Sequence, residues 1–509
     1  MGLFIKKPFE ALLAEANASG SKSLKRVLGP WSLVALGVGV IIGAGLFSIT
    51  GTVAAGYTGP AITLSFAIAA LGCCFAGLCY AEFASMIPVA GSAYTYSYAT
   101  MGELIAWIIG WDLILEMLMA GSVISKYWGV YLNDFMRLMG WNANTNLTFG
   151  SFHIDIAPII IVAFFTTLLV FGTKIGARVD GAMTVLKIAI VFFVVIVGFF
   201  YVKASNFTPF IPPSQPASTV EGSSAVTGVM TQPLWQFATG MTPSVYGVPG
   251  ILSGAALVFF AFIGFDVVAT ASEETKNPHK NVPLGIGVGM LLIIVMYMLV
   301  AVVTTGMVSY ADLAKQDSPS LATAFELVGA DWAAKIISFG IVLGLATVVM
   351  VLLLGLTRIV FAMSRDGLLP RGLSKTGKHG TPAALQIVVG AVVALVAAFF
   401  DIGVLSDMVN IGTRSAFTLV AISIPIMRKK RPDLPRAFKM PGSPWIPILI
   451  AVANFWLMLN LSVLTWIRFV VWLVVGFAIY FGYGYWHARL GKGDLTETLS
   501  AETDKAVNG

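Results

Sequence analysis

Charge is what this chain has least of. Asp, Glu, Lys and Arg make up 11% of its 509 residues, against about 25% in an ordinary soluble domain. A soluble protein of this length could not clothe its surface with so few charges. Cysteine is nearly absent too: Cys73, Cys74 and Cys79 crowd into one apolar stretch. Their short helical separation argues against a structural disulfide and for small packing residues. The four histidines, His153, His279, His379 and His487, are far apart in sequence and sit near or outside the ends of apolar segments. The sequence holds no Cys/His metal spacing, phosphate-cradling Gly loop or nucleophile motif, so it implies no enzyme, no metal and no cofactor. Gly-X-Gly runs such as 37–39 fall inside a membrane-length segment, where no phosphate sits.

Apolar residues are abundant: 57% of the chain, with a mean hydropathy of +0.87. Long uncharged runs recur to near the end, so they are read as spans rather than as a removable leader. Twelve segments have membrane length, at about 30–55, 60–87, 103–131, 155–173, 179–202, 250–272, 283–308, 333–362, 384–400, 404–427, 445–461 and 464–487. The expected fold class is therefore an all-α integral membrane protein with 12 transmembrane helices.

Lys and Arg fix the orientation. The amino-terminal tail holds Lys6, Lys7, Lys22, Lys25 and Arg26, and alternate loops repeat the pattern at Lys174 and Arg178, at Lys276 and Lys280, and from Arg365 to Lys378. The loop after the tenth segment carries Arg428, Lys429, Lys430, Arg431, Arg436 and Lys439, while the other side has chiefly Arg137, Lys203 and Lys315. The positive-inside rule puts both termini in the cytoplasm of a multi-pass protein of the plasma membrane. The net charge of +6 then belongs to loops at the inner surface of the bilayer and calls for no nucleic-acid partner. Residues 1–29 and 488–509 read as cytoplasmic tails, 30–427 as a transporter core and 428–487 as two further helices. Residues 203–249, rich in Ser, Thr, Pro and Gly, form a long extracellular loop, read as an insertion that packs around Trp235 and Phe237.

Two spans are interrupted. Gly39, Gly43 and Gly45 lie within seven residues in the middle of the first, where glycine weakens a helix and bares its backbone. In lipid such a break survives only beside protein or a cavity. The sixth span carries Gly264 and Asp266 deep in apolar sequence. Breaks at positions 1 and 6 suggest two five-helix halves of opposite topology, with spans 11 and 12 outside the core. Amides at the start of a half-helix suit a carboxylate, because the dipole there is positive and the donors are unused. Gly43, Ala44 and Gly45 would supply them to a small zwitterion.

Ile42-Gly43-Ala44-Gly45-Leu46-Phe47 resembles the first-helix signature of the amino acid–polyamine–organocation superfamily, as does the stretch from Tyr80-Ala81-Glu82-Phe83 to Tyr94-Thr95-Tyr96. Gly110-Trp111-Asp112 to Glu116 is similar to the third-helix motif of its cationic amino acid transporter branch, and Phe260 to Asp266 with Glu273-Glu274 and Asn277-Pro278 to that branch's sixth helix. Thr357-Arg358, Met363 to Pro370, and Arg428 to Leu434 extend the likeness. Together the motifs span most of residues 25–490. The resemblance implies the LeuT fold (a 5+5 inverted repeat plus two carboxy-terminal helices), alternating access, and an L-amino acid as substrate. It also implies that Ile41, Phe260, Ala261 and Ile263 offer carbonyls to the ammonium, that Phe260 is an outer aromatic gate, and that Met350 sets pocket volume, although ordinary packing would also account for a methionine there.

Several ionisable residues lie within apolar segments, where charge is costly and functional by default. Asp266 either attracts a cationic side chain or shapes the broken helix. Lys187 is isolated in span 5; in proton-coupled relatives a span-5 lysine stands where sodium-coupled ones hold Na⁺, so the resemblance implies proton coupling, the alternative being a fixed charge. Glu116 lies four residues after Asp112, on one helix face. The deeper Glu116 is the better proton relay, and Asp112 the structural member. Glu82 and Arg358 read as inner-gate or snorkelling charges. Arg414 departs from the family pattern. It either pairs with Asp407 or points into the cavity, where it and Lys126 would disfavour cationic substrates. A proton-coupled symporter is the expected function. An amino acid/amine antiporter, a polyamine carrier and a non-transporting sensor are its rivals.

Overall fold

The computed structural model describes residues 5–7, 28–43, 45–86, 92–141, 145–149, 152–171, 174–219, 228–265, 268, 275–316, 319–375, 377, 381–432 and 436–488. Most of the described chain is helical. Lipid explains why: a segment that crosses it must satisfy its own amides, and a helix does this locally. Helix α1 spans Pro30–Ile41, with proline at its first turn, where the missing amide is harmless. It is followed by α2 (Ile62–Met86), α3 (Glu103–Leu138), α4 (Ile156–Phe171), α5 (Lys174–Phe199) and α6 (Gly247–Val258). Then come α7 (Pro278–Met307), α8 (Asp331–Arg365), α9 (Ala383–Phe399), α10 (Ile402–Lys430), α11 (Trp445–Leu459) and α12 (Val463–Ile479). Among the described residues seven helical runs are long and apolar enough to cross a membrane, and five shorter apolar helices accompany them.

Small residues let the helices approach closely. A Cβ at Gly340 of α8 would collide with Ile190 of α5, and one at Gly285 of α7 would crowd Leu33 of α1. Helix α12 is locked to α3 by a reciprocal pair of hydrogen bonds. Trp111 Nε1 donates to the Trp472 carbonyl (2.9 Å) and Trp472 Nε1 to the Trp111 carbonyl (3.3 Å), with the two rings stacked 4.4 Å apart. The outer faces of α4, α7 and α12 present exposed apolar side chains such as Phe164, Leu291 and Val474.

Some boundaries differ from the sequence reading. Helix α3 runs to Leu138, past the expected end at 131. Within loop 203–249, residues 232–235 dock on the turn between α11 and α12: Leu234 N bonds the Leu461 carbonyl (2.9 Å), Val463 N the Gln232 carbonyl (3.1 Å), and Trp235 Nε1 the Asn460 side chain (2.9 Å). Trp235 packs on Trp456, but Phe237 is exposed, so only one of the two expected aromatic anchors serves. Residues 5–7 also leave the expected free tail: Ile5 and Lys7 make backbone bonds with Glu103 and Tyr98. The Lys7 ammonium reaches Asp366 at 3.0 Å and is 2% exposed.

Candidate functional site

The first span breaks where its glycines cluster. Helix α1 stops at Ile41, Ile42 takes an extended ψ of 92°, and helical structure resumes as a π-turn at Gly45–Ile49 that continues through Thr50–Val53 and Ala54–Thr58. Gly45 opens this second stretch, so its amide is among the first four that a helix leaves without an internal acceptor. A Cβ on Gly43 would meet the Ile41 carbonyl and Val348 at 3.8 Å, an ordinary contact distance, so packing alone does not demand glycine there. Ala44 lies outside the described residues.

The sixth span breaks in a matching way. Helix α6 ends at Val258, a 3₁₀ turn follows over Phe259–Phe262, Ile263 is extended with ψ 139°, and Gly264 has φ +118°. Only glycine adopts that φ without strain, and a Cβ would also strike Val40. Asp266 lies outside the described residues. The two breaks touch each other: a Cβ on Gly45 would overlap the backbone of Ala261. They enclose a cavity of about 20 Å³ lined by Val40, Ile41, Gly43, Gly45, Phe260 and Ile263, with Ala120 and Ile124 of α3 and Val348 and Leu352 of α8. Every lining residue is apolar. That volume admits a water-sized body, so the site is contracted.

Tyr297 of α7, fully buried, joins the breaks from behind. Its hydroxyl lies 2.7 Å from the Ile41 carbonyl and 2.8 Å from the Ala261 carbonyl. Tyr131 of α3 holds the second half of the first span in the same manner, donating to the Phe47 carbonyl at 2.6 Å. Sequence reasoning passed over Tyr297, yet a hydroxyl buried in an otherwise apolar span must find a partner, and that was the available signal.

Met350 is buried but is absent from the cavity wall. Val348 and Leu352 of the same helix line it instead, four residues apart on one face, with Met350 two residues from each and so turned away. Lys187 of α5 is 1% exposed. Its ammonium donates to the Gly39 carbonyl of α1 at 2.5 Å, and its alkyl stem fills the notch left by Gly344 of α8. It therefore stands between α1 and α8, close to the first break. Asp112 and Glu116 are both buried on α3. Asp112 accepts from Ser415 of α10 at 2.6 Å, and Glu116 lies one turn from Ala120 of the cavity wall.

Arg414 takes neither of its expected positions. It is fully buried and does not line the cavity between the breaks, nor does it make an ion pair with Asp407. Its guanidinium donates to the Ala255 and Ala256 carbonyls in the last turn of α6 and to the Leu457 carbonyl of α11, and lies 4.4 Å over the Phe259 ring. It caps the first half of the broken sixth span, where carbonyls otherwise lack partners. Lys126 pairs with Asp155 at 3.3 Å. Glu82 receives Arg428 at 2.9 and 2.6 Å and the Met440 amide at 2.7 Å. It thus anchors the segment before α11, and Arg428 is committed to protein rather than lipid. Arg358 is half-buried near the end of α8.

Next to the hollow between the breaks, along the same segments, lies a larger cavity of about 510 Å³. It is reached by one turn along each of three segments: from Gly45 to Ser48, from Ile124 to Tyr127, and from Phe260 back to Leu257.

A bundle of apolar helices, two of them opened at one central hollow beneath a wider mouth, is the architecture of a membrane-embedded, multi-pass carrier. Residues 28–483 match the amino acid permease family model, and the chain belongs to that family. It is 43% identical over 498 residues to the branched-chain amino acid permease of Bacillus subtilis (strain 168), covering 96% of this chain and 99% of that protein. It is 40% identical to the methylthioribose transporter of the same organism, with 96% and 99% covered. To the vacuolar cationic amino acid transporter 4 of Arabidopsis thaliana it is 36% identical, with 81% of this chain and 65% of that protein covered. These matches bear out the resemblance to the amino acid–polyamine–organocation superfamily and its cationic transporter branch.

Proposed function

We propose that this permease is a LeuT-fold symporter with twelve spans. Residues 30–427 form the core of two inverted five-helix halves, and α11 and α12 lie outside it. Both tails face the cytoplasm, and the 510 Å³ cavity opens outward. The observation that carries the reading is the meeting of two helix breaks on one hollow, with Gly45 pressed on Ala261. The amides of Gly43, Ala44 and Gly45 take the carboxylate of an L-amino acid, and carbonyls from Ile41, Phe260, Ala261 and Ile263 take its ammonium. Phe260 separates the hollow from the outer mouth. Proton movement at Lys187, aided by Glu116, changes the grip of α5 on α1 and so biases the inward-facing state, which a ligand can do only through unequal affinity for the two states.

The substrate we favour has a neutral, apolar side chain. Val40, Ile41, Ala120, Ile124, Val348 and Leu352 offer no charge to a cationic one, and a bare ammonium or guanidinium in such walls is costly. Similarity to the branched-chain amino acid permease supports the same choice. The 40% identity to a methylthioribose transporter supports a second reading, in which a neutral thio-sugar is carried. That ligand has no ammonium for the carbonyls at the breaks.

Purified protein in proteoliposomes tests this with labelled L-leucine, L-isoleucine, L-valine and L-arginine, with and without an inward proton gradient. We expect saturable L-leucine uptake, driven uphill by the gradient and not reduced by putrescine or by excess methylthioribose. Counterflow without net uptake indicates an exchanger. Absence of any saturable uptake removes the transport reading.

A further inference from the structure

A third cavity, of about 670 Å³, shares no lining residue with the two already described. It lies where α5 and α7 end. Phe200, Tyr201 and Lys203 wall it on one side, and Asp312, Lys315 and Gln316, from the stretch between α7 and α8, wall it on the other. Beneath it the two helix ends interlock, since a Cβ on Gly198 would collide with Val303 and Met307. Lys203 N donates to the Gly306 carbonyl at 2.9 Å, and Asn206 Nδ2 to the same carbonyl at 2.7 Å.

The walls differ in kind. Phe192, Ile196 and Phe199 are exposed at helical spacing and mark the stripe of α5 that meets lipid. Phe200, at the end of that stripe, is 81% exposed. An aromatic pair at the end of a span, with Tyr201 half-buried, sits at the level of the lipid headgroups. The rest of the recess is charged. Among its lining residues two lysines, Lys203 and Lys315, face one carboxylate, which leaves a surplus of one positive charge. Asp312 is already engaged, accepting from Lys315 at 2.8 Å and from Ser309 Oγ at 2.7 Å. The Lys203 ammonium has no partner among the described residues. Basic residues are few on this side of the bundle, so topology does not account for a lysine here.

An apolar rim beside a recess with one surplus cation matches an amphiphile with one negative charge. We propose that the recess binds the headgroup of one anionic phospholipid, of the phosphatidylglycerol type. The phosphodiester meets Lys203, the glycerol hydroxyls reach Gln316, and an acyl chain runs along Phe200 and Phe199. A zwitterionic headgroup would bring its own ammonium up to the lysines, and free phosphate would leave the rim unused. Once occupied, the recess joins the end of α5 to the segment ahead of α8, and a ligand held only by the folded state stabilises that state. The inference goes beyond the transport reading and does not depend on which substrate is carried.

Native mass spectrometry of the purified full chain, titrated with phosphatidylglycerol or phosphatidylcholine, tests it. We expect wild type to hold one phosphatidylglycerol per chain more tightly than phosphatidylcholine. A lysine near a lipid surface contributes about 1 kcal/mol, so Lys203→Gln should bind phosphatidylglycerol roughly fivefold more weakly, and Lys203→Arg should restore most of the loss. The melting temperature should rise with phosphatidylglycerol in wild type and rise less in Lys203→Gln. Excess inorganic phosphate should leave the bound lipid in place; its displacement would mark a simple anion site and overturn the lipid assignment. Equal retention of the two lipids by wild type overturns it without recourse to any variant, and so does phosphatidylglycerol binding that Lys203→Gln leaves unchanged.

Discussion

Tyr297 places one hydroxyl between the carbonyls of Ile41 and Ala261, at 2.7 and 2.8 Å, and so ties the two interrupted spans to each other through α7. A phenol has one proton and can give it to one carbonyl at a time. The other carbonyl keeps spare acceptor capacity, which matches the need of an ammonium with three donors. Tyr297 is absent from the lining of the hollow, and its hydroxyl bridges the two carbonyls from behind.

Tyr297→Phe keeps the ring, with its edge contact to Phe66, and removes the hydroxyl alone. Loss of one such bond costs about 1 kcal/mol, so L-leucine affinity should fall roughly fivefold in equilibrium binding. Affinity equal to wild type would separate the tyrosine from the site.

Gly45→Ala tests the contact between the breaks. The added methyl would overlap the backbone and Cβ of Ala261, and overpacking of this kind costs about 1–3 kcal/mol. Transport should be lost while the protein still elutes as a folded species. Gly43→Ala, whose methyl would meet nothing nearer than 3.8 Å, should be much milder.

Lys187→Ala removes the ammonium from the Gly39 carbonyl. Uptake against a concentration gradient should vanish and its dependence on external pH should flatten, while downhill exchange persists. Concentrative uptake unchanged in this variant defeats the coupling role.

Lys7 and Asp366 form a buried pair at 3.0 Å, with Tyr94 adding a bond to the carboxylate at 2.8 Å. Removing one partner strands a charge, at a cost of about 3–5 kcal/mol. Lys7→Met alone should therefore lower the melting temperature more than Lys7→Met with Asp366→Asn does. Equal losses would show that the pair is not coupled.

Much of the architecture was legible in the sequence, because lipid imposes a rule that composition records directly. Apolar runs of membrane length announced the helices, and Gly39, Gly43 and Gly45 announced the first break. Gly264 marked the second, where its φ of +118° excludes other residues. The least legible parts depend on which way a side chain turns. Met350 and Leu352 differ by two positions on one helix, a rotation that puts one on the wall and the other behind it. Lys7 looked like one more topology cation, and only tertiary packing shows it buried against Asp366. Arg414 was marked as unusual for its surroundings, but its partners are peptide carbonyls, which no pattern of side-chain types reveals.

That choice of partners gives Arg414 a role beyond neutralising a carboxylate. It ends α6 with a charge carried by the chain itself, fastened to α10 by a covalent backbone and to α11 by a hydrogen bond. The first half of the sixth span is thereby tethered to α10 and α11, and the interruption of its backbone lies beyond Phe259, in the stretch that ends at Gly264.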